Sequence, residues 1–148
     1  MNIRFLLFSS LYLALPFNVH AQEPASGGQT IVDCWHDPAI NDSHIAIGAC
    51  EGRILKSLQS DMRQLYAKRK QEARKLDTAS KRAGSNLMFM DAEKGTEQSQ
   101  KDFETYMASE CDRQVRSYSG GGSVGSDIWT ACEIDLISQR IATLKADH

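Results

Sequence analysis

Ile47-Gly48-Ala49-Cys50-Glu51-Gly52-Arg53-Ile54-Leu55-Lys56-Ser57-Leu58-Gln59-Ser60-Asp61-Met62-Arg63-Gln64-Leu65 is the stretch that decides the fold. Within it Ile47, Cys50, Ile54, Leu58, Met62 and Leu65 recur at intervals of three and four residues. That spacing lays a single apolar stripe along an amphipathic helix. Asn41, Asp42 and Ser43 precede it and offer helix N-caps. Gly48 and Gly52 weaken its first turns and leave room for a neighbouring element to approach closely. Beyond Tyr66 the charge rises: Lys68, Arg69, Lys70, Glu72, Arg74 and Lys75 interleave with Gln71 and Ala73. This reads as a solvated extension of the helix, the competing reading being a basic patch for an acidic partner.

Downstream, Ser80, Gly84 and Ser85 place a chain turn between Ala79 and Asn86. A second helix is predicted from about Leu87 to Ser117, with Phe103, Met107 and Cys111 on one face and Tyr106 beside them. Gly95 marks either a kink in it or a late start. A Gly/Ser-rich loop, residues 118–126, follows, and Ser126 or Asp127 caps a third helix striped by Trp129, Cys132, Leu136 and Leu144. Upstream, Pro38 makes residues 34–41 irregular, and residues 22–33, with Pro24, Gly27 and Gly28, read as a flexible leader. No segment alternates with a period of two. The fold expected is all-α, a small disulfide-stapled helical bundle or hairpin of about three helices with one Gly/Ser-rich loop.

The first residues set the compartment. Arg4 is followed by the apolar run 5–17, and Val19-His20-Ala21 puts small residues where a signal peptidase reads. The run is short of the roughly 20 residues that span a bilayer, so residues 1–21 are read as a signal peptide cut after Ala21 rather than as an uncleaved anchor. No cysteine stands at the cut, which argues against a lipid anchor. The mature protein is then periplasmic or secreted, with no membrane span left. Its 127 residues suit one domain, placed at residues 34–145. Sixteen Lys and Arg against nineteen Asp and Glu give the mature chain a net charge of −3, which is not the concentrated positive face nucleic acid requires.

Cys34, Cys50, Cys111 and Cys132 all fall in the mature part, and an even count in an exported chain reads as disulfides. Four cysteines allow three pairings. Cys34–Cys50 and Cys111–Cys132 are favoured, because each closes a short loop between a helix and its flanking segment. Zinc sites bring ligands in close pairs; the wide spacing here, with Cys34-Trp35-His36 isolated, argues against a metal. No cofactor motif is present either.

Nothing in the chain assembles a catalytic set. There is no nucleophile elbow, phosphate loop or zinc-protease motif, and His36, His44 and His148 lack a nucleophile near them in sequence. Asp91 and Glu93, like Asp102 and Glu104, lie two apart and so face different sides of a helix. The expectation is a protein that binds another protein and is not an enzyme. The loop is the candidate contact, since a Cys111–Cys132 bridge would tie its two ends and lower the cost of ordering it in a partner's cleft. Tyr118 and Trp129 flank it with the aromatic area that anchors interfaces. The plainer reading of the loop is a tolerant hairpin connection.

The ordered set Gln100-x-x-Phe103-x-x-Tyr106, Cys111, Tyr118, Gly121-Gly122-Ser123, Trp129, Cys132, Leu136, Arg140 and Leu144 resembles the LprI-type lysozyme-inhibitor family of exported bacterial proteins. Cys50 and the helix ending at Met62-x-x-x-Tyr66 fit its first half more loosely. Phe103 stands where the family usually has tryptophan, Met107 where it has arginine and Ile137 where it has threonine. The resemblance implies a protein partner, a lysozyme or another cell-wall hydrolase. Tyr118, Ser119, Gly121, Gly122, Ser123 and Trp129 would then form the contact, with Arg140 bracing the loop from the last helix. The alternative is a periplasmic immunity or adaptor protein that binds a toxin or envelope partner.

Overall fold

The structure is a computed structural model that describes residues 31–40, 43–83, 91–118 and 123–146. Its elements, in chain order, are α1 (Ile31–His36), α2 (His44–Arg82), α3 (Ala92–Ser117) and α4 (Ser123–Ala146). The all-α expectation holds, with two disulfides and no strand among the described residues. Three long helices form the body. Arg74 of α2 meets Glu93 at the start of α3, and Cys111 near the end of α3 meets Cys132 near the start of α4. Helices α2 and α3 are therefore antiparallel, as are α3 and α4, and α2 and α4 run parallel.

The core forms because each long helix has one apolar face and α4 has nearly two. Cys34, Cys50, Ile54 and Ile134 fill one end, and Met62, Ile137, Ile141 and Leu144 fill the middle. Cys111, Cys132 and Leu136 join α3 to α4, with Phe103, Met107 and Trp129 packed beside them. The α2 stripe buries Ile47, Cys50, Ile54 and Met62 as its spacing requires. The four-residue stripe read for α4 omits Ile134, Ile137 and Ile141, all buried because α4 is covered by both α2 and α3.

Several local expectations are corrected. The segment before Pro38 is not irregular throughout: α1 is helical from Ile31, inside the stretch assigned to the leader. Cys34 holds this short helix against α2. Gly48 and Gly52 mark no close approach, since a Cβ at either would meet nothing within 4 Å. Gly95 marks a late start, with α3 beginning at Ala92. Helix α4 starts at Ser123 rather than at Ser126 or Asp127, so the connection after Tyr118 is shorter than predicted. The chain turn expected between Ala79 and Asn86 begins later, since α2 stays helical to Arg82. The signal-peptide region, the first part of the leader and residues 84–90 lie outside the described residues.

The charged part of α2 is not merely solvated. Asp77 accepts the backbone N–H groups of Ala92 (2.9 Å) and Glu93 (3.0 Å). It thus supplies from α2 the N-cap that Asp91, at the cap position of α3, does not provide with its own side chain. Eight residues earlier, Arg69 donates to the carbonyls of Leu144 (2.6 Å) and Lys145 (3.3 Å) in the last turn of α4. A cation there satisfies open carbonyls and complements the negative end of the helix dipole. Lys70 and Arg74 pair with Glu97 and Glu93 of α3, each at 2.5 Å.

Candidate functional site at the loop end of the bundle

Helix directions bring the start of α2, the end of α3 and the start of α4 to one end of the molecule, and the Cys34–Cys50 bridge adds α1 to it. The Cys111–Cys132 bridge fixes the hairpin that carries the Gly/Ser connection. Tyr118 is the C-cap of α3, its N–H bonded to the Val115 carbonyl at 3.1 Å, and its ring is 64% exposed. Close by, a Cβ on Gly125 would lie 3.5 Å from Val115 Cγ1, an ordinary van der Waals distance, so the last turn of α3 lies beside the first turn of α4. Both sides of the connection are thereby held while its middle carries only glycine and serine.

The residues expected to bind a partner separate into groups. Tyr118 stands exposed beside the connection, and Ser123 opens α4. Ser119, Gly121 and Gly122 lie outside the described residues. Trp129 is half-buried against Cys111, Cys132 and Leu136, so much of its ring serves the core. Arg140 does not brace the loop. Its guanidinium donates to Gln100 Oε1 (3.3 Å) and Ser99 Oγ (3.1 Å) and lies 5.5 Å from the centre of the Phe103 ring. At 1.5 Å of rise per residue that position is about 25 Å along α4 from Ser123. Buried Gln100 also donates to Glu104 Oε1 at 3.0 Å and faces Met62 Sδ at 3.9 Å. Gln100, Phe103 and Arg140, three of the residues that carry the family resemblance, thus form a staple between helices.

The same end holds a polar group that the sequence did not announce. Trp35 Nε1 donates to Glu51 Oε1 at 3.0 Å, and the Trp35 ring meets His44 edge to face at 6.5 Å between centres. His44 Nδ1 lies 3.9 Å from Asp127 Oδ2. Glu51 is 1% exposed and its Oε2 has no hydrogen-bond partner. Burial pushes the Glu51 carboxyl above its usual range, the indole bond opposes this, and the charge of Asp127 adds to it. Val32, Trp35 and Ile45 are large, apolar and exposed at this end. The one available signal was a tryptophan next to a cysteine.

His44 faces Asp127 and Trp35 rather than a hydroxyl or thiol, and all four cysteines are spent in disulfides. Among the described residues no helix is long and apolar enough to cross a membrane.

A small helical body with two disulfides, with exposed apolar side chains gathered at one end, defines a disulfide-stapled all-α domain. The family model of the lysozyme inhibitor LprI matches residues 34–144, about three quarters of the sequence, and the chain belongs to that family. It is thus lysozyme-inhibitor-like at the level of the family, whose members are inhibitors and not enzymes. Neither the curated proteins nor the solved structures gave a match.

Proposed function

We propose that this protein is a periplasmic or secreted inhibitor that blocks a lysozyme-type cell-wall hydrolase by presenting its loop end to the sugar-binding cleft. Membership of the LprI family carries the reading. C-type lysozymes are basic and hydrolyse through two carboxylates in an open cleft. A loop of glycine and serine is slender enough to enter such a cleft and offers backbone N–H groups to acidic side chains. Holding both its ends lowers the entropy lost when it does so. Tyr118, Ser119, Gly121, Gly122 and Ser123 form the contact in this reading, and Trp129 supports it from the hairpin.

The test is inhibition of C-type lysozyme by the oxidised exported protein, with complex formation measured alongside. Dose-dependent inhibition at one-to-one stoichiometry is the expected result. Replacing Ser119 to Ser123 with alanines should abolish it and leave the helical circular dichroism unchanged. Full inhibition by that variant refutes the loop contact. If no lysozyme is inhibited and a toxin or envelope protein is retained in its place, the immunity or adaptor reading replaces this one.

A further inference from the structure

Exposed large apolar side chains are not spread evenly over this molecule. Val32, Trp35, Ile45, Tyr118 and Val124 are all at the loop end, whereas Leu76 and Tyr106 are elsewhere. Side chains three apart share a helix face, so in α1 Ile31 and Cys34 turn toward the core and Val32 and Trp35 turn away from it. Val32 and Trp35 thus share the outer face of α1, and two large apolar side chains exposed side by side on a short helix fit an interaction surface.

The charge of this end differs from that of the rest of the chain. Leaving out the buried Glu51, segments 31–53 and 110–128 contain six Asp and Glu, three Arg and no Lys, and the remainder of the chain contains twelve acidic and fourteen basic residues. Two of the three arginines are already paired within α3, Arg113 with Glu110 and Arg116 with Asp112. Asp127 lies 3.9 Å from the imidazole of His44. An acidic apolar surface fits a cationic partner with an apolar rim.

We propose that Val32, Trp35 and Ile45 form a second contact arm, beside the loop, for the same cationic hydrolase, with Trp35 as its anchor and Glu51 as the residue that positions the Trp35 ring. The proposal rests on the inhibitor reading above and adds to it a surface on α1 and α2 that the loop model lacks. Tryptophan is the side chain most enriched among interface anchors. An anchor is worth most when its orientation is set before binding. Here the indole N–H is fixed by a carboxylate that is itself buried, and the backbone of α1 is fixed by the neighbouring Cys34–Cys50 bridge. Glu51 touches no partner in this arrangement and acts through Trp35.

Binding of the oxidised exported protein to C-type lysozyme, measured by calorimetry, tests both parts. Trp35→Ala should weaken binding about 30-fold, the loss typical of one anchoring residue, with the helical circular dichroism unchanged. Glu51→Leu should weaken it about 10-fold by releasing the ring and red-shift the Trp35 emission, read in a Trp129→Phe background. Glu51→Gln, whose amide oxygen still accepts the indole N–H, should restore both binding and emission. If the wild type binds and Trp35→Ala binds equally well, the second arm is overturned and the inhibitor reading survives. If Glu51→Leu shows unshifted emission and full affinity, the positioning role is overturned. Absence of wild-type binding removes the partner and overturns both readings.

Discussion

Replacing Cys111 and Cys132 together by alanine removes the bridge that closes the α3–α4 hairpin and tethers the loop. Alanine is preferred to serine because both positions are buried, and serine would leave hydroxyls without partners. The bridge spans a sequence separation of 21. On the chain-entropy relation a loop of that length contributes about 3 kcal/mol by restricting the unfolded state. The small void left by the sulfurs acts in the same direction. Urea unfolding followed by circular dichroism should therefore show about 3 kcal/mol less stability, and the thermal midpoint should fall by roughly 10 °C or more. The Cys34–Cys50 bridge, at a separation of 16, predicts nearly the same figure on entropy alone. It holds only the six residues of α1, however, and a variant lacking it can release α1 while the three long helices stay folded. Cys34→Ala/Cys50→Ala should thus lose markedly less in the main transition. A loss below about 1 kcal/mol for the Cys111/Cys132 variant would mean that packing alone holds the hairpin. The bridge would then not be what pre-orders the loop.

Asp77→Ala should cost about 1 kcal/mol by uncapping α3, and Asp77→Asn should restore most of it, both read from urea midpoints. Acid should destabilise the bundle through Glu110, held at about 2 by Arg113 and Gln114, and through Asp77 and Glu93, also held low by their partners. Their stabilisation is present above the unfolded values and is lost as pH falls through the folded ones, so Glu110→Gln should flatten the decline between about pH 4 and 2. Glu51 has the opposite sign, because its folded pKa is raised: its contribution is present below the unfolded value and lost as pH rises through the folded one. Glu51→Gln should accordingly gain in thermal midpoint relative to the wild type on going from acid to neutral pH. Arg140→Ala should cost about 1 kcal/mol by removing the guanidinium from the Phe103 face and from Gln100, seen in urea unfolding.

Periodicity made the body of this fold readable, because Ile47 to Leu65 and Phe103 to Cys111 each place apolar groups on one helical face. It failed for α4, where Ile134, Ile137 and Ile141 are buried because two helices cover α4, and a one-stripe template counts only one side. Pro38 concealed α1, whose six residues have little helical stability of their own and depend on the bridge to α2. Arg140 lies about 25 Å along α4 from Ser123, beyond the reach of the loop, and its partners Gln100 and Ser99 come from the antiparallel α3 and meet it only after packing. The exposure of Tyr118 was legible from its position next to the glycines. The setting of Trp35 was not, since its companions Glu51, His44 and Asp127 come from two other helices and meet only after packing.

Asp77 and Arg69 sit eight residues apart on one helix, and each closes the end of a different neighbour. Helix α2 therefore works as a ruler on which the start of α3 and the finish of α4 are both marked. Inserting a single residue between the two marks would move one by 1.5 Å and turn it by about 100° relative to the other. Either contact could then form, but not both. Length changes should consequently be tolerated in the 84–90 connection and in the glycine loop, and rejected between Arg69 and Asp77. Along that short span the spacing of residues matters as much as their identity.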